Sequence, residues 1–226
     1  MKRIAIIFLV IVAPLLGLLL VYLGWMSLKT NLLGWFILVS GLVYTLGVVV
    51  VYGIQRRAFW RPLEGNSIQA EEKADRSFWF IIPGMVTSFF VPPLEYLYLS
   101  HWMLRAQIFQ TIGLTLVVIG GLLFIWAKHL LKEAYSGHLA VTEKQELVKH
   151  GPYRVIRHPA YLSFLLIALG NCLGFSSLIG LFCMPVLLIP GIVYRIHVEE
   201  KLLSEYFKDA YQQYALKSYR LIPGIW

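Results

Sequence analysis

Two groups of charged and aromatic residues flank a long apolar region, and both contain side chains that could bind a ligand. The first group lies in residues 151–161, where a polar segment leads directly into apolar sequence. The second group, Arg195 with Glu199 and Glu200, follows the apolar region. If the intervening chain enters a membrane and returns, both groups reach the same membrane face. Their meeting point is a candidate site for chemistry.

The residue types in these groups suit a small cationic ligand such as a sulfonium. Pro159 fits the first turn of a helix, because the N–H that proline lacks would have no partner there. His158 then lies near the N-cap, where free backbone N–H groups can hold a carboxylate. Arg195 and Glu199 are four positions apart and share one helix face. Aromatic rings and a carboxylate would surround the ligand, supplied by Tyr153, His158, Tyr161 and Glu199.

Ordinary structural roles also explain some of these residues. Arginines and tyrosines at the ends of membrane helices are common interface anchors. Arg195 and Glu199 could form a surface ion pair worth only about 0.3–0.5 kcal/mol. Glu95 is acidic within an apolar stretch, and we interpret it as a structural residue near the outer membrane interface. Cys172 and Cys183 lie in apolar sequence as packing residues, so we predict neither a disulfide nor a metal site.

The composition indicates an integral membrane protein. The chain is 58% hydrophobic and 14% charged, and its mean hydropathy is +0.69, which is far from the balance of a soluble domain. Stretches long enough to cross about 30 Å of hydrocarbon lie near 4–23, 32–54, 78–100 and 108–127. We predict an all-α fold with six transmembrane helices, of which the last two form a helical hairpin.

That hairpin is predicted in residues 159–194, which are too many for one span. Gly170, Asn171 and Gly174 near the middle of this region, with Ser176 and Ser177 beyond them, favour a tight turn after a short first helix of about 15 residues. Pro185 and Pro190 predict a kink in the last span. Beyond it, apolar residues recur at helix spacing and predict an amphipathic C-terminal helix on the membrane surface. These residues are Leu202, Leu203, Tyr206, Ala210 and Tyr214.

The basic residues predict the orientation of the chain in the membrane. With both termini in the cytoplasm, every Lys and Arg except Lys29 and Arg105 falls on the cytoplasmic side. This asymmetry follows the positive-inside rule, and it makes 55–77 and 128–158 cytoplasmic loops. The net charge of +8 is therefore explained by topology, and no nucleic acid partner is predicted.

Several short motifs occur together in the second half of the chain. They are Leu147-Val148, Gly151-Pro152-Tyr153, Arg157-His158-Pro159, Tyr161, Arg195, Glu199-Glu200 and the tail Arg220-Leu221-Ile222-Pro223-Gly224. Their combination resembles the isoprenylcysteine carboxyl methyltransferase family, which is related to the membrane phospholipid methyltransferases. The resemblance covers about residues 115–226. We therefore divide the chain into N-terminal transmembrane helices with a cytoplasmic loop, residues 1–107, which the hydropathy and charge pattern predict, and residues 108–226, for which the resemblance implies a methyltransferase core.

The resemblance implies S-adenosylmethionine as cofactor and assigns residues to it. Arg195 would bind the methyl acceptor, and Arg195 and Glu199 would be the catalytic residues. Gln145 stands where the family commonly has His, and His138 stands near where it has Gln. The residues that would bind the cofactor are His138, Gln145, Glu146, Leu147, Val148, Tyr153, His158, Pro159, Ala160, Tyr161, Glu199 and Glu200.

Three functions remain open from the sequence. The favoured one is O-methylation of the carboxylate of an isoprenylated cysteine or a similar lipophilic acid, since a carboxylate acceptor needs no general base. A phospholipid amine or a small thiol is the alternative acceptor. A membrane scaffold or transport subunit is the third, non-enzymatic alternative. Outside these three, a membrane reductase that uses a nicotinamide cofactor is a less favoured enzyme. The predicted partners are membrane lipid and an acceptor that enters from the bilayer, with no obligate protein partner.

Overall fold

A computed structural model describes the chain mainly in its second half. The described residues are 15, 18, 21–22, 37, 39–43, 68–69, 78–98, 107–131, 140–141 and 146–226. Several predicted features therefore lie wholly or mainly outside them, namely the spans 4–23 and 32–54, the loop 55–77, His138 and Gln145.

Helices dominate the described residues. The main ones are α1 (Phe78–Tyr98), α2 (Gln107–Leu131), α3 (Pro159–Gly174), α4 (Leu178–Phe207) and α5 (Asp209–Ala215). A 3₁₀ turn, Gly151–Arg154, precedes α3. Two short strands, β1 (Ile68–Gln69) and β2 (Ala140–Val141), pair antiparallel. The expected helical fold is confirmed apart from this strand pair, and α1 and α2 lie within a few residues of the predicted stretches.

Two of the described helices, α2 and α4, are long and apolar enough to cross a membrane. Their most apolar windows have mean hydropathies of 2.3 and 2.0. Large apolar side chains on both helices are exposed, among them Ile108, Leu122 and Phe182. Exposed apolar side chains of this size suit contact with lipid tails rather than water.

Helices α2 and α3 pack with their backbones in direct contact. A Cβ atom added at Gly113 would lie 2.5 Å from the carbonyl oxygen of Gly170 and 2.6 Å from the backbone nitrogen of Gly174. Only glycine allows this approach, because any side chain at Gly113 would meet rigid backbone. Close approach through small residues is a common way for membrane helices to associate.

Replacing Gly113 with alanine is therefore expected to destabilise the fold by about 1–3 kcal/mol through overpacking. The measurement is thermal unfolding of the purified protein in detergent. Gly121→Ala is the matched control, since the Cβ atom added there would be 3.2 Å from a methyl group of Val43 rather than from backbone. Equal unfolding temperatures for the two variants would contradict the importance of the α2–α3 contact.

The turn between α3 and α4 lies where the short first helix of the predicted hairpin would end. Helix α3 continues through Gly170 and Asn171 to Gly174, and the chain turns at residues 175–177. The positive φ of Ser176, 54°, marks the turn. Of the residues named for the turn, Ser176 and Ser177 form it, whereas Gly170 and Gly174 lie within α3 and serve the contact with α2.

Glu95 of α1 caps the start of α4. Its carboxylate accepts hydrogen bonds from Ser177 Oγ at 2.5 Å and from the backbone N–H groups of Leu178 and Ile179, both at 3.1 Å. These N–H groups belong to the first turn of α4, where no carbonyl of the same helix is available. The structural interpretation of Glu95 is thus confirmed, with capping as its physical basis.

A π-helical turn, Met184–Leu188, interrupts the regular geometry of α4 and contains Pro185. The helix resumes as Ile189–Phe207, with Pro190 in its first turn. The prolines thus accompany a local distortion of a helix that continues. Leu188, Ile192 and Ile196 of this helix form the centre of the core, packed with residues of α3 and with Leu221 of the tail.

The C-terminal segment is divided where one amphipathic helix was predicted. Lys208, with φ of 45°, ends α4, and α5 begins at the next residue. Tyr211 and Tyr214 of α5 are buried and Ala210 is exposed. The prediction of one continuous helix through these positions is wrong, because Leu202, Leu203 and Tyr206 belong to α4 whereas Ala210 and Tyr214 belong to α5.

Candidate functional site

The start of α3 and the polar end of α4 meet, as the two flanking groups in the sequence predict. His158 is the N-cap residue of α3 and Pro159 is the first residue of the helix. The His158 side chain is 3% exposed, and its ring nitrogens lie 3.9 Å from Glu199 Oε2 and 3.4 Å from Glu200 Oε1. A buried imidazole thus faces two consecutive carboxylates.

Tyr161 links the cation and the carboxylate on the facing helix. Arg195 Nε donates a hydrogen bond to the Tyr161 hydroxyl at 2.9 Å, and that hydroxyl donates to Glu199 Oε2 at 2.8 Å. Arg195 is buried, and the ring of Tyr161 lies 5.7 Å from the ring of His158. The four side chains therefore form one connected polar cluster between α3 and α4.

Glu200 has a different environment from its neighbour Glu199. Arg157 Nε and Arg220 Nε donate to its two oxygens, each at 2.9 Å. With His158 close to one of these oxygens, the Glu200 side chain is only 13% exposed, whereas that of Glu199 is 34% exposed. Glu200 is thus surrounded by protein cations, and Glu199 keeps more contact with the surroundings.

The tail holds the segment before α3 in place through backbone hydrogen bonds. The N–H of Arg157 donates to the Tyr219 carbonyl at 2.7 Å, and the N–H of His158 donates to the Arg220 carbonyl at 3.1 Å. The Arg157 guanidinium also donates to the carbonyls of Ala215 and Ser218. The N–H of the N-cap residue His158 is therefore bonded to the tail.

Tyr153 faces away from this cluster. Its hydroxyl donates to the Ala127 carbonyl of α2 at 3.4 Å, and its own carbonyl accepts from the Tyr214 hydroxyl at 2.7 Å. Burial raises the pKa of Tyr214 to about 12, so this hydroxyl stays protonated and able to donate at neutral pH. Tyr153 thereby joins α2, the 3₁₀ turn and α5.

The remaining sequence-predicted residues differ in their exposure. Pro159 and Ala160 are buried in the first turn of α3. Glu146 is exposed, and Leu147 and Val148 are half-buried in irregular chain ahead of the 3₁₀ turn. The structure therefore brings together His158, Tyr161, Arg195, Glu199 and Glu200, with Tyr153 behind them.

The cluster suits a ligand that carries a positive charge. Glu199 uses only Oε2 in the hydrogen bonds recorded among the described residues, which leaves Oε1 for a ligand N–H or O–H. The rings of His158 and Tyr161 approach this carboxylate through a ring nitrogen and the hydroxyl, so aromatic groups that can attract a cation stand next to a negative charge. No group of three or more His, Cys, Asp or Glu residues suited to a metal ion occurs in the described part of the chain.

Sequence reasoning gave no role in the site to Arg157 and Arg220, although both stand in the recognised motifs. Their positive charges were explained by membrane topology, which accounts for almost every basic residue of this chain. The signal that could have identified them is the Glu199–Glu200 pair itself. Two adjacent carboxylates that approach a buried environment need compensating cations from elsewhere in the fold.

Comparison with known proteins confirms the resemblance seen in the motifs. A model of the phospholipid methyltransferase family matches residues 108–210. The protein-S-isoprenylcysteine O-methyltransferase of Saccharomyces cerevisiae is 32% identical over 148 residues, covering 64% of this chain and 60% of that protein. The enzyme of the same name from Schizosaccharomyces pombe is 29% identical over 122 residues, covering 53% of this chain and 51% of that protein.

A solved structure shares the fold. It is that of the eukaryotic intramembrane Ras methyltransferase, an isoprenylcysteine carboxyl methyltransferase, and it matches with a TM-score of 0.60 and 21% sequence identity. The match covers 92% of this chain and 73% of that one. The chain spans 60% or less of the length of the two fungal relatives. The likeness therefore concerns the common helical core and the motifs within it.

Proposed function

We propose that this protein is an S-adenosylmethionine-dependent membrane methyltransferase that methylates the carboxylate of an isoprenylated cysteine or a similar lipophilic acid. The observation that carries the proposal is the Arg195–Tyr161–Glu199 chain of hydrogen bonds. It holds a partly exposed carboxylate and a buried guanidinium on one helix face. The carboxylate of Glu199 suits a cationic methyl donor, and the guanidinium of Arg195 suits an anionic acceptor.

On the cofactor side, Glu199 would accept hydrogen bonds from the amino-acid or ribose groups of the donor. Tyr161 orients Glu199 through the 2.8 Å hydrogen bond, and His158 closes the other side of the carboxylate. Since these side chains are held by each other before any ligand arrives, little reorganisation is needed when the cofactor binds.

On the acceptor side, Arg195 would neutralise and orient a carboxylate. The cofactor supplies an activated methyl group: its carbon–sulfur bond breaks as the carbon–oxygen bond forms, and a neutral thioether leaves. A carboxylate acceptor releases no proton in this step, so no general base is needed. Alignment and exclusion of water are then the main tasks of Arg195, Tyr161 and their neighbours.

The proposed topology has six spans, a hairpin formed by α3 and α4, and both termini in the cytoplasm. The length and apolar character of α2 and α4 support the crossing of a membrane. The meeting of His158 with Glu199 and Glu200 supports the return of the chain to the face from which it enters. A lipophilic acceptor would then reach Arg195 from the bilayer, while the cofactor arrives from the cytoplasm.

A second acceptor class is favoured by one observation. The family model that matches residues 108–210 is that of phospholipid methyltransferases. The direct test presents the purified protein with labelled S-adenosylmethionine and a panel of prenylcysteine, phospholipid and thiol acceptors. Label on the prenylcysteine carboxylate, removable by mild base, supports the proposal. Label on phospholipid amine would assign the second class, and no label on any acceptor would contradict methyl transfer.

Arg195→Ala is expected to reduce turnover at least tenfold while changing cofactor affinity much less. The reason is that Arg195 reaches Glu199 through Tyr161, so its loss removes the acceptor's counter-charge but leaves the carboxylate in place. Turnover number and cofactor affinity are measured separately. Arg195→Lys, which keeps the charge without the planar guanidinium, should recover part of the activity. Equal losses of turnover and affinity would contradict an acceptor-side role.

A further inference from the structure

A second polar site includes Arg154 of the 3₁₀ turn and shares no residue with the Tyr161–Glu199 cluster. It is a cavity of about 300 Å³ lined by Lys149, Arg154, Gln213, Tyr214 and Lys217. We propose that this cavity binds the phosphate of an anionic phospholipid headgroup.

Two segments that are distant in the sequence build the cavity. One is the chain leading into the 3₁₀ turn, and the other is α5 with the residues after it. The Tyr214 hydroxyl donates to the Tyr153 carbonyl, and Tyr219 N–H donates to the Val155 carbonyl at 2.8 Å. Because these contacts join the two segments that line the cavity, its shape exists before a ligand binds.

The charges on the cavity wall are positive. Lys149, Arg154 and Lys217 supply them, and all three side chains are exposed. Within residues 146–226 the structure pairs none of them with a carboxylate. Like charges brought together in this way repel each other, and an anion between them relieves the repulsion. Arginine offers paired donors to phosphate oxygens, and lysine adds point charge.

Apolar side chains beside the cavity favour a lipid over a soluble phosphate. Val155, Leu216 and Tyr219 are all exposed, and each follows or lies close to one of the cavity cations in the chain. The N–H of Tyr219 donates to the Val155 carbonyl, so the backbone segments that carry these two exposed side chains lie next to each other. Cations next to exposed apolar groups suit a membrane interface, where headgroup phosphates lie above acyl chains. The assignment to the cytoplasmic leaflet rests on the proposed topology.

The test measures lipid binding by the full chain in neutral detergent, with native mass spectrometry of the bound lipid. The probes are phosphatidic acid and the zwitterionic phosphatidylcholine. The variants are Lys149→Gln, Arg154→Gln and Lys217→Gln, singly and combined. Lys201→Gln is the matched control, because Lys201 is an exposed lysine of α4 that pairs with Glu205 outside the cavity. We expect about a fivefold loss of phosphatidic acid affinity for each cavity cation removed, and no loss for the control.

Three results would overturn the proposal. The first is unchanged phosphatidic acid affinity in the combined variant, and the second is an equal loss of affinity in Lys201→Gln. The third is inorganic phosphate or glycerol 3-phosphate binding as tightly as the lipid, since the apolar side chains would then contribute nothing. Because the readout is lipid binding and not methyl transfer, failure of this proposal is distinguishable from failure of the proposed enzymatic function.

Discussion

Replacing Glu199 with glutamine is expected to weaken S-adenosylmethionine binding at least tenfold while leaving the fold intact. The substitution keeps the shape of the side chain but removes the charge that would face the cationic donor. Hydrogen bonds to charged groups contribute about 1.5–3 kcal/mol, and tenfold in affinity corresponds to about 1.4 kcal/mol. Since Glu199 is 34% exposed and has one oxygen available among the described residues, its loss should act on the ligand rather than on packing.

The measurement is equilibrium binding of labelled S-adenosylmethionine to the purified protein. Glu205→Gln is the control, because Glu205 is a half-exposed carboxylate on the same helix. Among the described residues, its ion-pair partner is Lys201. Removing its charge should leave affinity unchanged. Tight binding by the Glu199 variant would show that Glu199 does not bind the cofactor. An equal loss of affinity in both variants would mean that the total charge of the protein, and not a contact with Glu199, sets the affinity.

Replacing Glu200 with alanine is expected to destabilise the protein by about 3–5 kcal/mol. Removal of one partner from a buried ion pair leaves the remaining charge without compensation, which is costly. Here the remaining charges are Arg157, whose side chain is 8% exposed, and Arg220. Because Arg157 also holds Ala215 and Ser218, loss of Glu200 should loosen the tail against the start of α3.

Thermal unfolding in detergent measures this effect, with Glu205→Ala as the exposed control. Comparison with Glu199→Gln separates the roles of the two adjacent carboxylates. The structure predicts that Glu199 mainly affects affinity and Glu200 mainly affects stability. A Glu200 variant that unfolds at the normal temperature, yet binds the cofactor as weakly as the Glu199 variant, would instead make Glu200 a direct cofactor ligand.

Features that depend on local sequence were predictable. The positions of α1 and α2 follow from runs of apolar residues, because the apolar side chains of so long a helix must be buried in protein or in contact with lipid. His158 and Pro159 at the start of α3 follow from the conformational preference of proline. A direct ion pair between Glu199 and Arg195 was considered, because the two residues share one helix face. In the structure the Tyr161 hydroxyl of α3 lies between them and is hydrogen-bonded to both.

Features in which one residue type has two possible uses were not predictable. Glycines can form a turn or allow two helices to touch, and Gly170 and Gly174 do the second. Basic residues can orient a membrane protein or compensate a carboxylate, and Arg157 and Arg220 do the second as well. Helix periodicity cannot reveal a single residue such as Lys208 that redirects the backbone. For the glycines and the arginines, the role is set by residues that are far away in the sequence and close in the fold.

The sequence by itself determined that this chain is helical and strongly apolar, that its cations are asymmetrically distributed, and that its motifs resemble those of membrane methyltransferases. These properties are set by composition and by short-range spacing. Only the tertiary structure decided that Glu199 and Glu200 have different environments, that the tail occupies the N–H of His158, and that three cations converge on one cavity. The physical reason is that burial and charge compensation depend on which segments meet, and neighbouring residues in the chain do not specify that.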